Sequence, residues 1–124
     1  MATSKAKKTV IALVVLALII AFVIYIKIKL NQPGQYDDFA KCLTEKGVKM
    51  YGAYWCSHCK DQKRAFGTSF KYVNYIECTQ KQDECNKAGV KNYPTWVFPG
   101  DQIIEGEKSL DKISQLSGCS LQNG

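Results

Sequence analysis

Beyond its first thirty residues, the sequence has no excess of either charge. Residues 31–124 contain twelve basic and eleven acidic side chains, although the whole chain has a formal net charge of +6. A nucleic-acid-binding protein needs basic residues clustered on a folded face. The charge distribution therefore excludes nucleic acid as an expected partner. The positive excess lies in five lysines that flank an apolar run: Lys5, Lys7, Lys8, Lys27 and Lys29.

The chain also lacks a cleavage site of small residues and a second apolar run. Val10–Ile26 is uncharged and apolar, and residues 10–30 reach the length of a bilayer span once the lysine stems are counted. The absence of a small-x-small site disfavours a cleaved signal peptide. A buried core helix would be amphipathic, whereas this segment is apolar all round. We therefore predict a basic tail over residues 1–9 and an uncleaved transmembrane anchor over 10–30. A cleaved signal peptide and a buried core helix are the less favoured alternatives.

Charge and cysteine content indicate on which side of the membrane the soluble part lies. Three lysines precede the span and two follow it, which weakly favours a cytoplasmic N-terminus. Six cysteines beside a membrane-targeting segment indicate an oxidising compartment. We expect a single-pass membrane protein whose residues 31–124 lie in the periplasm, the extracellular space or an organelle lumen.

Helical and strand patterns alternate after a short polar linker, residues 31–35. Strands joined through helices are expected to pair in parallel, and the last two strands can form a hairpin. This alternation of helices and strands predicts one α/β domain over residues 36–124, with a small mixed four-stranded sheet and helices on both faces. The predicted strands are 48–55, 71–78, 95–98 and 102–105, and the predicted helices begin near Tyr36, Cys56, Asp83 and Leu110, the last with Ser109 as N-cap.

Cys56 and Cys59 form a Cys-Ser-His-Cys motif where a predicted strand becomes a helix. Unpaired N–H groups and the dipole at a helix N-terminus stabilise a thiolate, and such placement can lower a cysteine pKa to roughly 3.5–7.5. This position predicts Cys56 as the exposed attacking sulfur and Cys59, one turn inside, as the resolving thiol. Ser57 and His58 would tune the redox potential; a charge or hydrogen bond from His58 to the thiolate would make the disulfide a better oxidant.

The sequence has no second close cysteine pair of the kind that a zinc ribbon requires, because Cys78 and Cys85 are too widely spaced. A redox-active Cys56–Cys59 pair is therefore favoured over a metal site and over a structural disulfide. No cofactor or metal is expected beyond the redox-active disulfide itself. Trp55, directly before the motif, is expected to shape the contact surface around the thiol.

Pro94 stands directly before the predicted strand 95–98, a position at which proline is tolerated. A cis X–Pro bond is usually a purposeful feature. With this proline and the cysteine motif after a core strand, the chain resembles the thioredoxin-like superfamily. The resemblance implies a thioredoxin-like fold, a nucleophile and a resolving thiol in the motif, and a substrate-facing cis-proline loop. An ordinary edge or turn proline is the alternative. The residues that carry the resemblance are Trp55, Cys56, Cys59, Tyr93, Pro94 and Thr95.

Residues 36–118 resemble most closely the thioredoxin-like domain fused to, or encoded beside, bacterial and plant vitamin K epoxide reductase homologues. This resemblance implies a membrane-embedded, quinone-linked thiol oxidase as a separate partner, because the chain has one span. Many thioredoxins have a buried acid six residues before the first cysteine; Met50 stands there, which suits an oxidant better than a fast general reductant. The segments that carry the resemblance are 50–63, 66–67, 72–73, 75–78, 85 and 88–96.

Four cysteines lie outside the motif. The close resemblance implies a Cys78–Cys85 bridge, and closing this eight-residue loop would stabilise the fold by about 2–3 kcal/mol. A second, relaying redox pair and free thiols remain open for these two residues. Cys42 and Cys119 are left by elimination, but their helices could pack on opposite faces of the sheet. An intramolecular bridge, free thiols and an intermolecular link therefore all remain open for them.

Together these patterns predict a membrane-anchored thiol–disulfide oxidoreductase. It would exchange disulfides with cysteine-containing protein substrates outside the cytoplasm and be reoxidised by the quinone-linked membrane oxidase. One alternative keeps the chemistry and reverses its direction, as an extracytoplasmic reductant or isomerase. The other is a non-enzymatic metal-binding or adaptor module of thioredoxin-like shape.

Overall fold

The chain divides into two compact units, Met1–Gln32 and Pro33–Gly124. The structure, a computed structural model, describes residues 3–122. The first unit contains one helix, α1 (Ser4–Leu30), in which no residue is buried. By length and composition α1 could cross a membrane, a property that signal sequences share. It begins before the predicted residue 10 because lysine, which dominates the preceding tail, is a good helix former.

Four short strands form one mixed sheet in the second unit, in the order β2-β1-β3-β4. The strands β1 and β2 are parallel, whereas β3 is antiparallel both to β1 and to β4. The predicted parallel pairing is confirmed for β1 and β2 and wrong for β3. The chain leaves β2 and enters β3 at the same edge of the sheet. The intervening segment, which contains a helix, does not cross to the opposite edge as a connection between parallel strands would. The strands are β1 (Lys49–Gly52), β2 (Asn74–Glu77), β3 (Thr95–Phe98) and β4 (Gln102–Glu105).

Helices precede and follow these strands as the periodicity predicts, but two strands are shorter than predicted. The strand β1 ends at Gly52 because the chain turns there, with the Cys56 N–H donating to the Ala53 carbonyl at 3.1 Å. The strand β2 starts late because Gly67–Tyr72 forms a 3-10 helix. The α-helices of this unit are α2 (Asp37–Glu45), α3 (Ser57–Phe66), α4 (Gln82–Lys87) and α5 (Leu110–Ser117).

The sheet carries helices on both faces, which agrees with the predicted thioredoxin-like fold. Helices α2, α3 and α5 contribute to one apolar cluster with β1 and β3, whereas α4 packs with Tyr51 and Ile76 in a second cluster. Aromatic rings dominate the first cluster, where Phe66 lies 5.8 Å from Phe39 and 6.1 Å from Trp96 between ring centroids. This packing holds α3, and with it the cysteine motif, against the sheet.

Two disulfides link elements of the second unit. Cys78 is joined to Cys85, with the two Cα atoms 5.8 Å apart. Cys42 is joined to Cys119, with a Cα–Cα distance of 5.9 Å. The concern that the helices beside Cys42 and Cys119 cover opposite faces does not apply, because α2 and α5 share one core cluster.

Candidate redox site

Cys56 lies between the end of β1 and the start of α3, where it is the N-cap residue of the helix. Its Sγ accepts a hydrogen bond from the backbone N–H of Cys59 at 3.2 Å. The first N–H groups of a helix have no intrahelical partner, and the helix dipole favours negative charge at this end. The sulfur of Cys56 therefore occupies the position at which a thiolate receives a backbone donor.

Cys56 is less accessible than its predicted role as an exposed thiol required, since only 7% of the residue is exposed. It is free in the structure and lies in an open groove between the start of α3 and the loop that precedes β3. The exposed Trp55 packs edge to face against Tyr93, with ring centroids 5.9 Å apart. The groove is lined by Trp55, Cys56, Ser57, His58, Lys91, Asn92 and Tyr93.

Cys59 is also free and is fully buried one turn into α3. Burial, followed by the hydrogen bond with Cys56, raises the pKa of the Cys59 thiol to about 12. Cys59 therefore stays protonated at neutral pH when the pair is reduced. The two sulfurs are thus unlike: Cys56 has a backbone donor and borders the groove, whereas Cys59 is buried away from solvent, and the charge of Lys63 only partly offsets that burial.

The Tyr93–Pro94 loop lies at the same edge of the sheet as Cys56, because β3 runs antiparallel to β1 and begins where β1 ends. The Tyr93–Pro94 peptide bond is cis, and Pro94 is buried. Two hydrogen bonds fix the loop: the Thr95 hydroxyl donates to the Asn92 carbonyl at 2.6 Å, and Gly106 N–H donates to the Pro94 carbonyl at 2.7 Å. Tyr93 thereby reaches the groove beside Cys56.

His58 points away from the protein core and toward an acid that sequence reasoning did not connect with it. Its Nδ1 lies 3.4 Å from Glu107 Oε2, and the His58 side chain is 71% exposed. Ser57, the first residue of α3, borders the groove beside it. Three side chains could together hold a metal ion, since their ligand atoms lie within 4.8 Å of one another: His58, Asp61 and Glu107.

Tyr75 and Glu77 lie beside the site, although the sequence pattern placed them only within a predicted strand, residues 71–78. Glu77 ends β2 and accepts hydrogen bonds from the Tyr54 N–H at 3.1 Å, the Thr79 hydroxyl at 2.7 Å and the Tyr75 hydroxyl at 2.8 Å. Burial alone would raise the pKa of Glu77, but the bonds from Thr79 and Tyr75 hold that pKa below its ordinary value. The sequence offered one signal for Glu77. Parallel strands place their carboxyl ends at one edge of a sheet, and Glu77 lies near the end of the predicted strand 71–78, directly before Cys78. This signal would place it near the cysteine motif, which follows the predicted strand 48–55.

The chain is similar to known thiol–disulfide enzymes, although no family model matches it. It is 40% identical over 91 residues, 66% of this chain, to Thiol-disulfide oxidoreductase LTO1 of Arabidopsis thaliana. It is 29% identical over 95 residues, 70% of this chain, to the Protein disulfide-isomerase of Humicola insolens. The chain spans only 24% and 19% of the lengths of these two relatives.

Two solved thioredoxins are also similar, both with 21% sequence identity. Thioredoxin NaTrxh from Nicotiana alata has a TM-score of 0.46, and the match covers 55% of this chain and 66% of that one. Fasciola hepatica thioredoxin has a TM-score of 0.45, with 66% and 91% covered. The closer resemblance to a domain beside vitamin K epoxide reductase homologues stays a prediction.

Proposed function

We propose that this chain, whose fold and relatives support a place in the thioredoxin-like superfamily, is a thiol–disulfide oxidoreductase that acts through Cys56 and Cys59. The observation that carries the proposal is the unlike pair of sulfurs: Cys56 Sγ accepts the N–H of Cys59 at the start of α3, while Cys59 is buried behind it. Such a pair separates an attacking sulfur from a resolving one. The names of the relatives in Arabidopsis thaliana and Humicola insolens support the same chemistry.

In the oxidising direction, a substrate thiolate attacks the Cys56 sulfur of the Cys56–Cys59 disulfide. Cys59 leaves as a thiolate and takes up a proton, and a mixed disulfide joins Cys56 to the substrate. A second substrate thiolate then attacks the substrate sulfur of that mixed disulfide, and Cys56 leaves. The substrate dithiol has lost two electrons and two protons, and the Cys56–Cys59 pair has gained them.

The proposed direction is oxidation of substrate thiols. The backbone donor at Cys56 favours the dithiol form, and Met50, six residues before Cys56, offers no acid to support a fast reductant. We expect the full chain in detergent, equilibrated with glutathione buffers and followed by thiol alkylation and mass spectrometry, to have a potential more positive than about −220 mV. A value near thioredoxin's roughly −270 mV would instead support an extracytoplasmic reductant or isomerase.

The proposed location is the membrane surface, with α1 as a single anchor, a cytoplasmic N-terminus and the second unit outside the cytoplasm. The support is the length and apolar composition of α1 and the lysines at its two ends. We expect the chain to stay in the membrane pellet on alkaline extraction, and a chain that starts at Pro33 to be recovered in the supernatant. Release of the full chain under the same conditions would contradict the anchor.

The proposed partners are secreted proteins with cysteine pairs and a separate membrane oxidase that passes the electrons to quinone. The support is chemical: a catalytic disulfide that oxidises substrates must be re-formed after each turnover, and this chain has only one candidate span among its described residues. An oxidase of the vitamin K epoxide reductase type, as the sequence resemblance implies, would supply that oxidation at the membrane.

A further inference from the structure

Cys59 is a buried thiol that must lose its proton when it attacks the Cys56 sulfur. Burial, followed by the hydrogen bond with Cys56, raises the pKa of Cys59 to about 12, so spontaneous ionisation at neutral pH is rare. Met50, on the neighbouring strand, carries no group that accepts a proton. The resolving step therefore needs a proton acceptor from elsewhere in the site.

The surroundings of Gly52 point to the Tyr75 hydroxyl as the candidate acceptor. A Cβ built on Gly52 would lie 2.9 Å from Cys59 Sγ and 3.2 Å from the Tyr75 hydroxyl oxygen. Both atoms therefore border the space that glycine leaves free at this position. The Tyr75 hydroxyl donates its proton to Glu77 Oε2 at 2.8 Å. Because this donor is occupied, the lone pairs of the Tyr75 oxygen are available to accept the Cys59 proton.

The charges around Tyr75 suit a proton relay. Burial, followed by the hydrogen bond and charge of Glu77, raises the pKa of Tyr75, and Cys59 and Cys56 add to this effect. Tyr75 therefore remains a neutral hydroxyl that is hydrogen-bonded to the Glu77 carboxylate and lies, with the Cys59 sulfur, beside Gly52. Lys63, on α3, places its Nζ 3.7 Å from the centroid of the Tyr75 ring and supplies the positive charge on this side.

We propose that Tyr75 and Glu77 carry the proton of Cys59 during the resolving step, a role that rests on the proposed oxidoreductase function. The Cys59 sulfur bonds to Cys56, and the bond from Cys56 to the partner sulfur breaks, with its electron pair leaving on that sulfur. The Cys59 proton passes to the Tyr75 oxygen as the Tyr75 proton passes to Glu77. A carboxylate suffices as acceptor because the thiol proton becomes strongly acidic as its sulfur forms the new bond.

The same groups serve the opposite direction, in which Cys59 leaves the disulfide as a thiolate. Tyr75 then gives a proton to the Cys59 sulfur as it takes one from Glu77, which must first take up that proton from water. Glu77 acts through Tyr75 and is a positioning residue, further held by the Tyr54 N–H and the Thr79 hydroxyl. Gly52 is the residue that lets Tyr75 approach the buried sulfur.

The test follows the resolving step directly in the full, reduced chain in detergent, with oxidised glutathione as the probe. Acid quenching and intact-mass spectrometry measure formation of the glutathionyl adduct on Cys56 and its decay as Cys59 displaces glutathione. In Tyr75→Phe and Glu77→Gln we expect unchanged formation and at least about tenfold slower decay at pH 7. The deficit should shrink as pH rises toward 10, because hydroxide replaces the missing acceptor.

Tyr51→Phe is the matched control, because it removes a hydroxyl from the adjacent strand on the other face of the sheet and should match wild type. Equal decay in wild type, Tyr75→Phe and Glu77→Gln at every pH would overturn the relay. So would a slowing that does not depend on pH, which would mark a structural role. Failure of wild type to form any adduct would instead overturn the oxidoreductase function itself. Glu77→Gln keeps the hydrogen-bonding shape and so tests the relay even if Tyr75→Phe folds poorly.

Discussion

A chain with Cys56→Ser is expected to lose oxidation of a dithiol peptide by at least about 1000-fold relative to wild type. A serine hydroxyl is not ionised at neutral pH and forms no disulfide, so neither half of the exchange can occur. Serine is also a favourable N-cap residue, and position 56 is the N-cap of α3. The start of the helix should therefore persist, and the loss should report chemistry rather than unfolding. A peptide whose fluorescence changes on disulfide formation gives the rate.

Cys59→Ser is the paired variant, since it removes the resolving sulfur and keeps the attacking one. We expect it to form the glutathionyl adduct on Cys56 at about the wild-type rate and to complete no turnover. If Cys56→Ser retained more than about a tenth of wild-type activity, another sulfur would be the nucleophile. If Cys59→Ser formed no adduct, the assignment of the two roles would be wrong.

Removal of the Cys42–Cys119 bridge is expected to lower the free energy of unfolding by about 4–5 kcal/mol. The bridge spans a sequence separation of 77 residues, so without it the unfolded chain gains much more conformational freedom than without the Cys78–Cys85 bridge, whose separation is 7. The shorter bridge should contribute about 2–3 kcal/mol in the same chain-entropy account. Paired alanine variants of the full chain in detergent, unfolded in urea and followed by tryptophan fluorescence, measure both values.

Which disulfide contributes more to the free energy of unfolding is a stricter test than either value alone, because each absolute value depends on residual structure in the unfolded chain. A smaller loss for the long loop than for the short one would contradict the chain-entropy explanation. It would also reopen the possibility that Cys42 and Cys119 pair between molecules. Non-reducing electrophoresis of the wild-type chain distinguishes the two cases, since an intermolecular link produces a covalent dimer.

The second half of the domain was predictable because its signals are local. The strand bounds Thr95–Phe98 and Gln102–Glu105 match the prediction, and a turn with positive φ at Gly100 and Asp101 joins them. Ser109 caps α5 as predicted, with its side chain accepting the Lys112 N–H. These features need only neighbouring residues, so composition and spacing were enough.

The rest of the fold depends on contacts between distant residues, which the sequence pattern does not contain. Aromatic and β-branched residues predicted a strand over 71–78, but β2 covers only Asn74–Glu77. The first two residues of the predicted strand belong to the 3-10 helix Gly67–Tyr72, in which Phe70 packs against Phe66 and Tyr75. The antiparallel position of β3 likewise depends on which edge of the sheet the chain occupies after α4. Local propensity could not decide either feature.

The residues of the candidate site also differ in whether local sequence could identify them. Cys56 and Cys59 were identifiable from a four-residue motif at a strand–helix junction. The Tyr75–Glu77 pair was not, because it reaches the cysteines only through the register that places Glu77 opposite Gly52. The burial of Cys56 was underestimated because Cys56 belongs to a core cluster whose members come from distant parts of the chain.

The central claim is that Cys56 exchanges disulfides with other proteins and Cys59 resolves them. The most direct measurement is to place the full-length Cys59→Ser chain in its native membrane, block thiols rapidly and analyse the chain by non-reducing electrophoresis and mass spectrometry. We expect mixed disulfides through Cys56, with secreted proteins and a membrane oxidase among the partners, all absent when Cys56→Ser is added. A Cys59→Ser chain that carries no partner through Cys56 would contradict it.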